Sequence, residues 1–285
     1  MFFSLFWGKI IIYKDFYPTF CTTFALKLQS MVSISRINLP TVDSTNSFVR
    51  TMLQEEGIGQ VMSANSLPGF TLVVADDQTR GRGQQGNTWE TEKGKNLTFS
   101  LLCHPDFILA SRQWLLSQCM AVAIQQTLAQ YVTGVEVKWP NDIYVGDKKI
   151  CGTLIECDLQ GKRISNCIIG VGININQTVF RSDAPNPTSL QLQTGKDYDR
   201  EEILSLLLNY FQHFYALLQE GHEDTIRQLY MQHLYRREGL HRYRDVRGEF
   251  MAEIAGVEPT GHLRLRFEDG NVVRYELKEV QFIKD

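Results

Sequence analysis

The sequence predicts an α+β fold, in which helices pack around a mixed or mostly antiparallel sheet and a small β-barrel follows at the C-terminus. In the main body of the 285-residue chain, consecutive apolar strands form hairpins and the helical segments are grouped around them, instead of alternating strictly with strands. From Val246 onward the pattern changes to short strands separated by turns, with the size and spacing of an SH3-like barrel.

The first half of the chain is predicted to hold three strands and two helices. The side chains of Asp43, Ser44, Thr45 and Asn46 are of the types that cap helix N-termini, because they accept hydrogen bonds from free backbone N–H groups. Apolar residues follow them at helical spacing as far as Leu53. The other elements are strands over 33–40, 70–75 and 96–102 and a long amphipathic helix over 109–131.

The centre of the chain is predicted to be a hairpin with strands over 137–144 and 149–156 and a turn at 145–148. Lys138 and Asp142 flank a Trp-Pro step, and Lys149 opens the return strand. Pro140 fixes one φ angle and removes a backbone donor, so it holds the backbone in one shape. A rigid turn with two ammonium groups and a carboxylate suits an anionic ligand; an ordinary hairpin with solvated charges is the alternative.

The second half begins with a strand that ends in Gly and Asn and continues through a loop that contains two prolines. The predicted elements are the strand over 165–176, the loop over 178–195, helices over 200–220 and 223–234, and barrel strands over 248–257, 263–267 and 272–277.

A Gly-rich segment, Gly81–Gly86, matches G-x-G-x-x-G directly after a predicted strand. A dinucleotide-binding fingerprint requires a helix to open at this point, and residues 87–96 lack an apolar helical stripe, so the Rossmann interpretation fails. The glycines allow the backbone to approach a ligand closely, and Arg82 offers a planar fork for a phosphate or carboxylate. We predict a mobile loop that closes over a ligand and excludes water; a disordered surface loop is the alternative.

The composition is that of an ordinary globular protein, with 43% hydrophobic and 21% charged residues. The net charge of −3 argues against bulk binding of nucleic acid, because that function requires a basic surface. The six cysteines form no Cys-x-x-Cys pair and show no zinc-type spacing with the histidines. We therefore predict free thiols in a reducing cytoplasm and no tightly bound metal.

Residues 1–30 do not match the rest of the chain. They are rich in aromatic residues and interrupted by charges, their uncharged runs are too short to span a bilayer, and the order of a signal peptide is absent. We predict that Met31 is the biological start, that the leader is an over-extended reading frame, and that the protein has no membrane partner. An N-terminal anchor on a membrane surface is the alternative.

Four ordered motifs resemble those of biotin protein ligases, from about Met31 to the C-terminus. They are Asp43-Ser44-Thr45-Asn46, Gly81-Arg82-Gly83 through Trp89, Lys138-Trp139-Pro140-Asn141-Asp142 with Lys149-x-x-Gly152-x-Leu154-x-Glu156, and Gly170-x-Gly172-Ile173-Asn174-x-Asn176. The resemblance implies a class II synthetase-like ligase domain over 31–240 and an SH3-like domain over 241–285. Because the leader has no helix-turn-helix pattern, the chain resembles the form of the family without an N-terminal DNA-binding domain, and no DNA partner is expected.

The resemblance implies an ATP-dependent ligase. Such an enzyme converts biotin and MgATP into biotinyl-5′-AMP and pyrophosphate, and then transfers biotin to a specific lysine on a biotin carboxyl carrier protein or the carrier domain of a carboxylase. Both small substrates are anions, so cations that converge on the reacting atoms would stabilise the charge that develops. Members with this fold can pair their sheets edge to edge, which allows a homodimer.

The resemblance also implies roles for the residues of the motifs. Lys149, Arg82, Lys138 and Asp142 would be catalytic, with Lys149 at the reacting carboxylate and phosphate and Asp142 holding Mg²⁺ or orienting ATP. The biotin site would comprise Ser44, Thr45, Asn46, Gln78, Arg82, Gly83, Gln84 and Lys149. The nucleotide site would comprise Lys138, Asn141, Asn174 and Trp89, whose packing on adenine is our own hypothesis. Many members carry further arginines where this chain has Gln84, Gln85 and Asn87, which should weaken phosphate binding by the loop.

Two other functions remain as alternatives. A lipoate-protein ligase resembles this family in fold and reaction, but it does not usually carry the Lys-Trp-Pro-Asn-Asp block. A non-catalytic module that grips RNA with the Gly-Arg loop is disfavoured by the acidic net charge and the lack of an aromatic-basic face. Formation of an acyl-adenylate from biotin or from lipoate distinguishes these functions.

Overall fold

A computed structural model of the chain describes residues 33–54, 69–182 and 184–284. The predicted leader over 1–30 and the predicted start at Met31 lie outside the described residues. Within them, the chain forms a larger sheet with helices packed on it and a smaller C-terminal sheet.

The strands of the larger sheet are β1 (Ile34–Leu39), β2 (Phe70–Ala75), β3 (Leu97–Cys103), β4 (Val135–Lys138), β5 (Asp142–Val145), β6 (Lys148–Gln160) and β7 (Arg163–Ile173). Their order across the sheet is β1-β2-β3-β7-β6-β5-β4. The β1–β2 pair is parallel, and the other neighbouring pairs are antiparallel. The predicted α+β class with a mixed sheet is therefore confirmed.

The helices are α1 (Thr45–Gln54), α2 (Trp114–Leu128), α3 (Leu190–Thr194), α4 (Arg200–Gln219) and α5 (Glu223–Gln232). A helix within the predicted span 109–131 is confirmed as α2, but its predicted bounds and amphipathic character were wrong, because α2 begins only at Trp114 and is buried on nearly every side. It lies between the larger sheet and the helices α4 and α5, so even Gln125 is buried and donates from Nε2 to the carbonyl of Val135 at 3.2 Å. The predicted loop over 178–195 is interrupted by α3.

The centre of the chain has three strands where the sequence predicted two. The predicted single strand over 137–144 was wrong, since the chain reverses at Trp139-Pro140-Asn141 and places Lys138 opposite Asp142 in the β4–β5 pair. Pro140, which follows a cis peptide bond, has no N–H to donate to a strand ladder, so the strand ends there. The predicted turn at 145–148 is confirmed, because β5 ends at Val145 and β6 begins at Lys148.

The smaller sheet comprises β8 (His241–Asp245), β9 (Gly248–Val257), β10 (Leu263–Phe267), β11 (Val272–Tyr275) and β12 (Gln281–Phe282), in the order β11-β10-β9-β8-β12. Its neighbouring strands are antiparallel. The indole Nε1 of Trp139 donates to the carbonyl oxygen of Gly261 at 2.8 Å, so the central hairpin is attached directly to this sheet.

Among the described residues, no helix combines the length and the apolar character that crossing a bilayer requires.

Candidate active site

A cavity of about 640 Å³ lies where the N-terminus of α1, the Gly-rich loop, the central hairpin and the C-terminal sheet meet. Its volume falls within the range of roughly 300–1,000 Å³ that small-molecule sites occupy. The residues predicted from sequence that line it are Ser44, Thr45, Asn46, Gln78, Arg82, Gly83, Gln84, Trp89, Lys138, Asn141, Asp142 and Lys149. Motifs that are far apart in the chain therefore share one cavity.

One wall of the cavity is polar but uncharged, and it is built at the start of α1. The backbone N–H and the hydroxyl of Thr45 donate to Oε1 of Gln78 at 2.8 and 3.1 Å. The hydroxyl oxygen of Ser100 lies 2.6 Å from Oδ1 of Asn46 and 2.8 Å from Oγ1 of Thr45. Since Ser44, Thr45 and Asn46 are each 3% exposed, these side chains are held in one arrangement, which suits a neutral polar group of a ligand.

The Gly-rich loop is folded back on itself beside this wall. The N–H of Gly83 donates to the carbonyl of Asn87 at 2.6 Å, and the N–H of Trp89 donates to the carbonyl of Gly81 at 2.9 Å. Gln84–Gly86 forms a single 3₁₀ turn, so no α-helix follows the glycines and the rejection of a Rossmann site is confirmed. The loop brings Arg82 to the cavity, where Nη2 donates to Oε1 of Glu156 at 3.1 Å.

The indole of Trp89, at the end of the loop, lies on two glycines that face each other across β6 and β7. Gly152 and Gly172 are paired in the strand register. A Cβ atom on Gly172 would lie 2.3 Å from Nε1 of Trp89, and one on Gly152 would lie 3.1 Å from its Cζ3. The glycines are thus required by the close approach of the ring, and Nε1 of Trp89 is buried without a hydrogen-bond partner among the described residues.

The central hairpin supplies two ammonium groups and a carboxylate. Nζ of Lys149 lies 2.7 Å from Oδ1 of Asp142 and 5.6 Å from the centre of the Trp89 ring. Nζ of Lys138 lies 4.8 Å from the Tyr144 ring centre and 5.1 Å from that of Phe282. Burial lowers the pKa of Lys138, and the nearby charge of Asp142 partly opposes this shift.

The charge of the cavity lining is strongly positive. Its cations are Arg82, Lys138, Lys149 and Lys278, whereas Asp142 is its single carboxylate among the described residues. A concave surface with this imbalance attracts anions, because low-dielectric walls focus the field. The arrangement is therefore suited to a ligand with carboxylate or phosphate groups.

Asn141 and Asn174 differ in their relation to the cavity. Asn141 lines it and braces the Pro140 turn against β6, since its Nδ2 donates to the carbonyl of Thr153 and the Thr153 hydroxyl donates back to the Asn141 carbonyl at 3.1 Å. Asn174 does not line it. Its buried side chain donates to the carbonyl of Thr188 at 2.9 Å, in the segment whose backbone pairs with Lys149.

Several residues at the site were missed by the sequence-based reasoning. The C-terminal sheet contributes Leu277, Lys278, Val280, Gln281 and Phe282 to the lining. No local signal could have placed them there, because the contact depends on how the two sheets pack. Ser100 carried a weak signal, since it is a polar residue within a mostly apolar strand.

No group of three or more His, Cys, Asp or Glu side chains in the described part of the chain could hold a metal ion. Asp142, 2.7 Å from Nζ of Lys149, is the carboxylate of the cavity lining among the described residues. A divalent ion at this position would therefore need most of its ligands from a bound substrate or from water, as Mg²⁺ commonly has with phosphates.

Residues 43–174 match the biotin/lipoate A/B protein ligase family. The chain is similar to the bifunctional ligase/repressor BirA of Bacillus subtilis, with 32% identity over 216 residues, which cover 73% of this chain and 65% of that protein. It is also similar to the biotin–[acetyl-CoA-carboxylase] ligase of Paracoccus denitrificans, with 31% identity over 163 residues, which cover 54% of this chain and 67% of that protein. The chain thus spans slightly less than two thirds of the length of the Bacillus protein.

Among solved structures, the fold is similar to that of the biotin protein ligase from Aquifex aeolicus in complex with biotin and ATP. The TM-score is 0.70 at 24% identity, over 88% of this chain and 99% of that chain. At this level of identity the similarity concerns the fold.

Proposed function

The chain belongs to the biotin/lipoate A/B protein ligase family, and on this premise we propose that it is a biotin protein ligase. It would form biotinyl-5′-AMP from biotin and MgATP and then transfer the biotinyl group to a lysine of a carrier domain. The two relatives described above carry ligase names, and the Paracoccus protein is named for biotin and acetyl-CoA carboxylase. The expected partner is therefore the biotin carrier domain of a carboxylase.

The observation that carries this proposal is that Arg82 and Lys149, from separate motifs, line one cavity beside an uncharged polar wall. Biotin has a neutral ureido ring at one end and a carboxylate at the other. The wall around Asn46 would hydrogen-bond the ring, and the cations would bind the carboxylate and the phosphate. A site for RNA alone would not require an uncharged polar wall on one side and a group of cations on the other.

In the first step, a carboxylate oxygen of biotin attacks the α-phosphorus of ATP, the new C–O–P linkage forms, and pyrophosphate leaves. Two anions must approach each other, so the step needs cations at the reacting atoms. Lys149 would contact the carboxylate and the α-phosphate, and Arg82 would orient one of them from the loop. Lys138 would neutralise the departing phosphates.

In the second step, the amine of the carrier lysine attacks the acyl carbon of the adenylate and AMP leaves. The acyl phosphate is reactive towards water, so the Gly-rich loop, closed over the bound adenylate, would protect it. Asp142 would release Lys149 as the phosphates arrive and would hold the Mg²⁺ that enters with ATP. Trp89 would move from the glycines to pack on adenine, where its unpaired Nε1 could donate to the nucleotide.

We further propose that the smaller sheet is the SH3-like barrel of the family, and that the domains extend over 31–240 and 241–285. The described cysteines are free thiols, which supports a reducing compartment such as the cytoplasm. A homodimer would pair β1 of two copies, because β1 is an outer edge of the larger sheet, whereas the outer side of β4 already bonds to the backbone of residues 233–235. The absence of a DNA partner stays a prediction.

The test is to incubate the full chain with MgATP and either biotin or lipoate, and to identify the acyl-adenylate by mass spectrometry. Biotinyl-5′-AMP together with release of pyrophosphate is expected. Transfer is then measured as the gain in mass of one biotinyl group on a purified carrier domain. This gain should be absent when the carrier lysine is replaced by arginine. Lipoyl-adenylate alone would establish the lipoate alternative, and the absence of both adenylates would refute a ligase.

A further inference from the structure

Glu156, on β6, lies outside the cavity lining and contacts two side chains that line the cavity from different elements. Its Oε2 accepts from Nδ2 of Asn46 at 2.8 Å, and its Oε1 accepts from Nη2 of Arg82 at 3.1 Å. Asn46 belongs to the uncharged wall at the start of α1, whereas Arg82 belongs to the Gly-rich loop. One carboxylate therefore joins the wall to the loop.

The contact with Glu156 determines which way the carboxamide of Asn46 points. An ionised carboxylate can only accept hydrogen bonds, so the amide must present its nitrogen to β6, where it also donates to the carbonyl of Leu154 at 3.3 Å. The amide oxygen consequently faces the hydroxyl of Ser100. A Cβ on Gly170 would lie 2.3 Å from this oxygen, so the amide has no room to shift towards β7.

The ion pair between Glu156 and Arg82 fixes the position of the Arg82 side chain more than it stabilises the fold. The Arg82 side chain is 46% exposed and that of Glu156 is 25% exposed, and an ion pair at such exposure contributes little to folding. Both contacts use the terminal nitrogens Nη1 and Nη2. The edge of the guanidinium that contains Nε therefore stays able to donate to a second anion.

We propose that Glu156 is a positioning residue for biotin: it holds the amide of Asn46 in the orientation that faces the ureido ring and holds Arg82 where the substrate carboxylate arrives. This inference rests on the proposed function. It implies that the two ends of the biotin site are coupled through a residue that itself does not line the cavity.

A neighbouring contact provides a matched control. Asp158 lies two residues after Glu156 on the same side of β6, and its Oδ1 accepts from Nη1 of Arg50 at 2.5 Å. Arg50 lies one helical turn after Asn46 on α1. Both carboxylates thus attach α1 to β6, but Asp158 contacts neither the wall nor the loop.

The experiment compares Glu156→Gln with Asp158→Asn in the full chain, by calorimetric titration of biotin and of MgATP and by thermal melting. Glu156→Gln replaces one carboxylate oxygen by an NH₂ group, which cannot accept a hydrogen bond from Asn46 or Arg82. One charge-assisted hydrogen bond is therefore lost, and biotin binding should weaken about tenfold. Its affinity for MgATP should stay within about twofold, because Lys138 and Lys149 are not touched and this proposal assigns Arg82 to the biotin carboxylate. Asp158→Asn should leave both affinities within about twofold.

A double-mutant cycle with Arg82→Ala tests the coupling. In the Arg82→Ala background, Glu156→Gln should weaken biotin binding less than in the unmodified chain, because only the Asn46 contact remains to be lost. The inference would be overturned if Glu156→Gln and Asp158→Asn changed the affinity for biotin equally. It would also be overturned if the effects of Glu156→Gln and Arg82→Ala on this affinity were fully additive. Glu156 would then only attach α1 to β6.

If melting shows that Glu156→Gln does not fold, Glu156→Asp replaces it; this variant keeps the charge but is one methylene shorter, and unchanged biotin binding by it would overturn the inference. If the folded unmodified chain binds no biotin and forms no biotinyl-adenylate, the proposed function fails. If the unmodified chain binds biotin and Glu156→Gln binds it equally well, only the role of Glu156 fails.

Discussion

Nζ of Lys149 lies 2.7 Å from Oδ1 of Asp142, and both side chains face the cavity that Arg82 also lines. The Lys149 side chain is 31% exposed and that of Asp142 is 17% exposed, so the pair is partly removed from water. Replacing either partner leaves the other charge without its counterion in a poorly solvated place. This pair would be opened when phosphates enter, and the first two predictions depend on it.

Replacing Lys149 by alanine should lower the rate of biotinyl-adenylate formation by about 10²-fold or more. The cation that would meet the reacting carboxylate and phosphate is then absent, and loss of one such donor has effects of this size. Pyrophosphate release measures the rate. Lys148→Ala is the control, because Lys148 is adjacent and exposed but does not line the cavity. Near-normal release by Lys149→Ala would contradict the role of Lys149.

Asp142→Asn should raise the KM for MgATP about tenfold and leave the dissociation constant of biotin within about twofold. The substitution keeps the shape of the side chain but removes the charge that would hold Mg²⁺. Steady-state kinetics and biotin titration measure the two effects. Asp147→Asn serves as the control, since Asp147 accepts from the hydroxyl of Tyr235 and does not line the cavity. A loss of biotin affinity equal to the change in KM would argue against a metal role.

Gly172→Ala should displace Trp89 and open the loop, so that trypsin cleaves after Arg82 about fivefold faster or more. The new methyl group would lie 2.3 Å from Nε1 of Trp89, which forces the ring to move. Gly152→Ala should act more weakly, because its methyl group would lie 3.1 Å from the edge of the ring. Timed proteolysis followed by mass spectrometry measures both rates. Cleavage unchanged in Gly172→Ala would mean that the ring does not hold the loop.

Binding of MgATP should weaken as the pH rises through the pKa of Lys138. Burial lowers this pKa, so the ammonium loses its proton at a lower pH than an exposed lysine would. Bound phosphates favour the charged form and raise the pKa again, so binding near this pH should take up protons. Calorimetric titrations in buffers of different ionisation enthalpy measure the uptake. Lys138→Arg should abolish it, because a guanidinium stays protonated throughout this range; uptake that persists in this variant would assign it to another group.

Trp139→Phe should destabilise the protein by about 1 kcal/mol, because the hydrogen bond from its indole to the carbonyl of Gly261 is lost. Urea unfolding measures the free energy. Trp114→Phe is a control of similar size change: its ring also packs against Gly261, but its Nε1 is buried without a partner among the described residues. Trp114→Phe should therefore lose no hydrogen bond. If it lowered the free energy of unfolding more than Trp139→Phe does, the explanation would be refuted.

Much of the site was predictable because its motifs are short and local. Gly-Arg-Gly after an apolar strand, and Lys138 and Asp142 around a Trp-Pro step, carry their chemistry within a few residues. The helix start at Thr45 was equally local, since capping involves residues next to each other in the chain. The buried character of α2 was not, because it depends on which elements cover both of its sides.

The sequence by itself determined the residue types of the site, the order of most strands and helices, and the fold class, since these follow from local patterns of polarity and turn formation. Only the tertiary structure decided that Glu156 joins Asn46 to Arg82, that Asn174 lies behind the cavity, and that residues 277–282 complete its lining. Asn46 and Glu156 are 110 positions apart, and Trp139 and Gly261 are 122 apart. Contacts over such distances depend on how sheets and helices pack, and no local pattern encodes them.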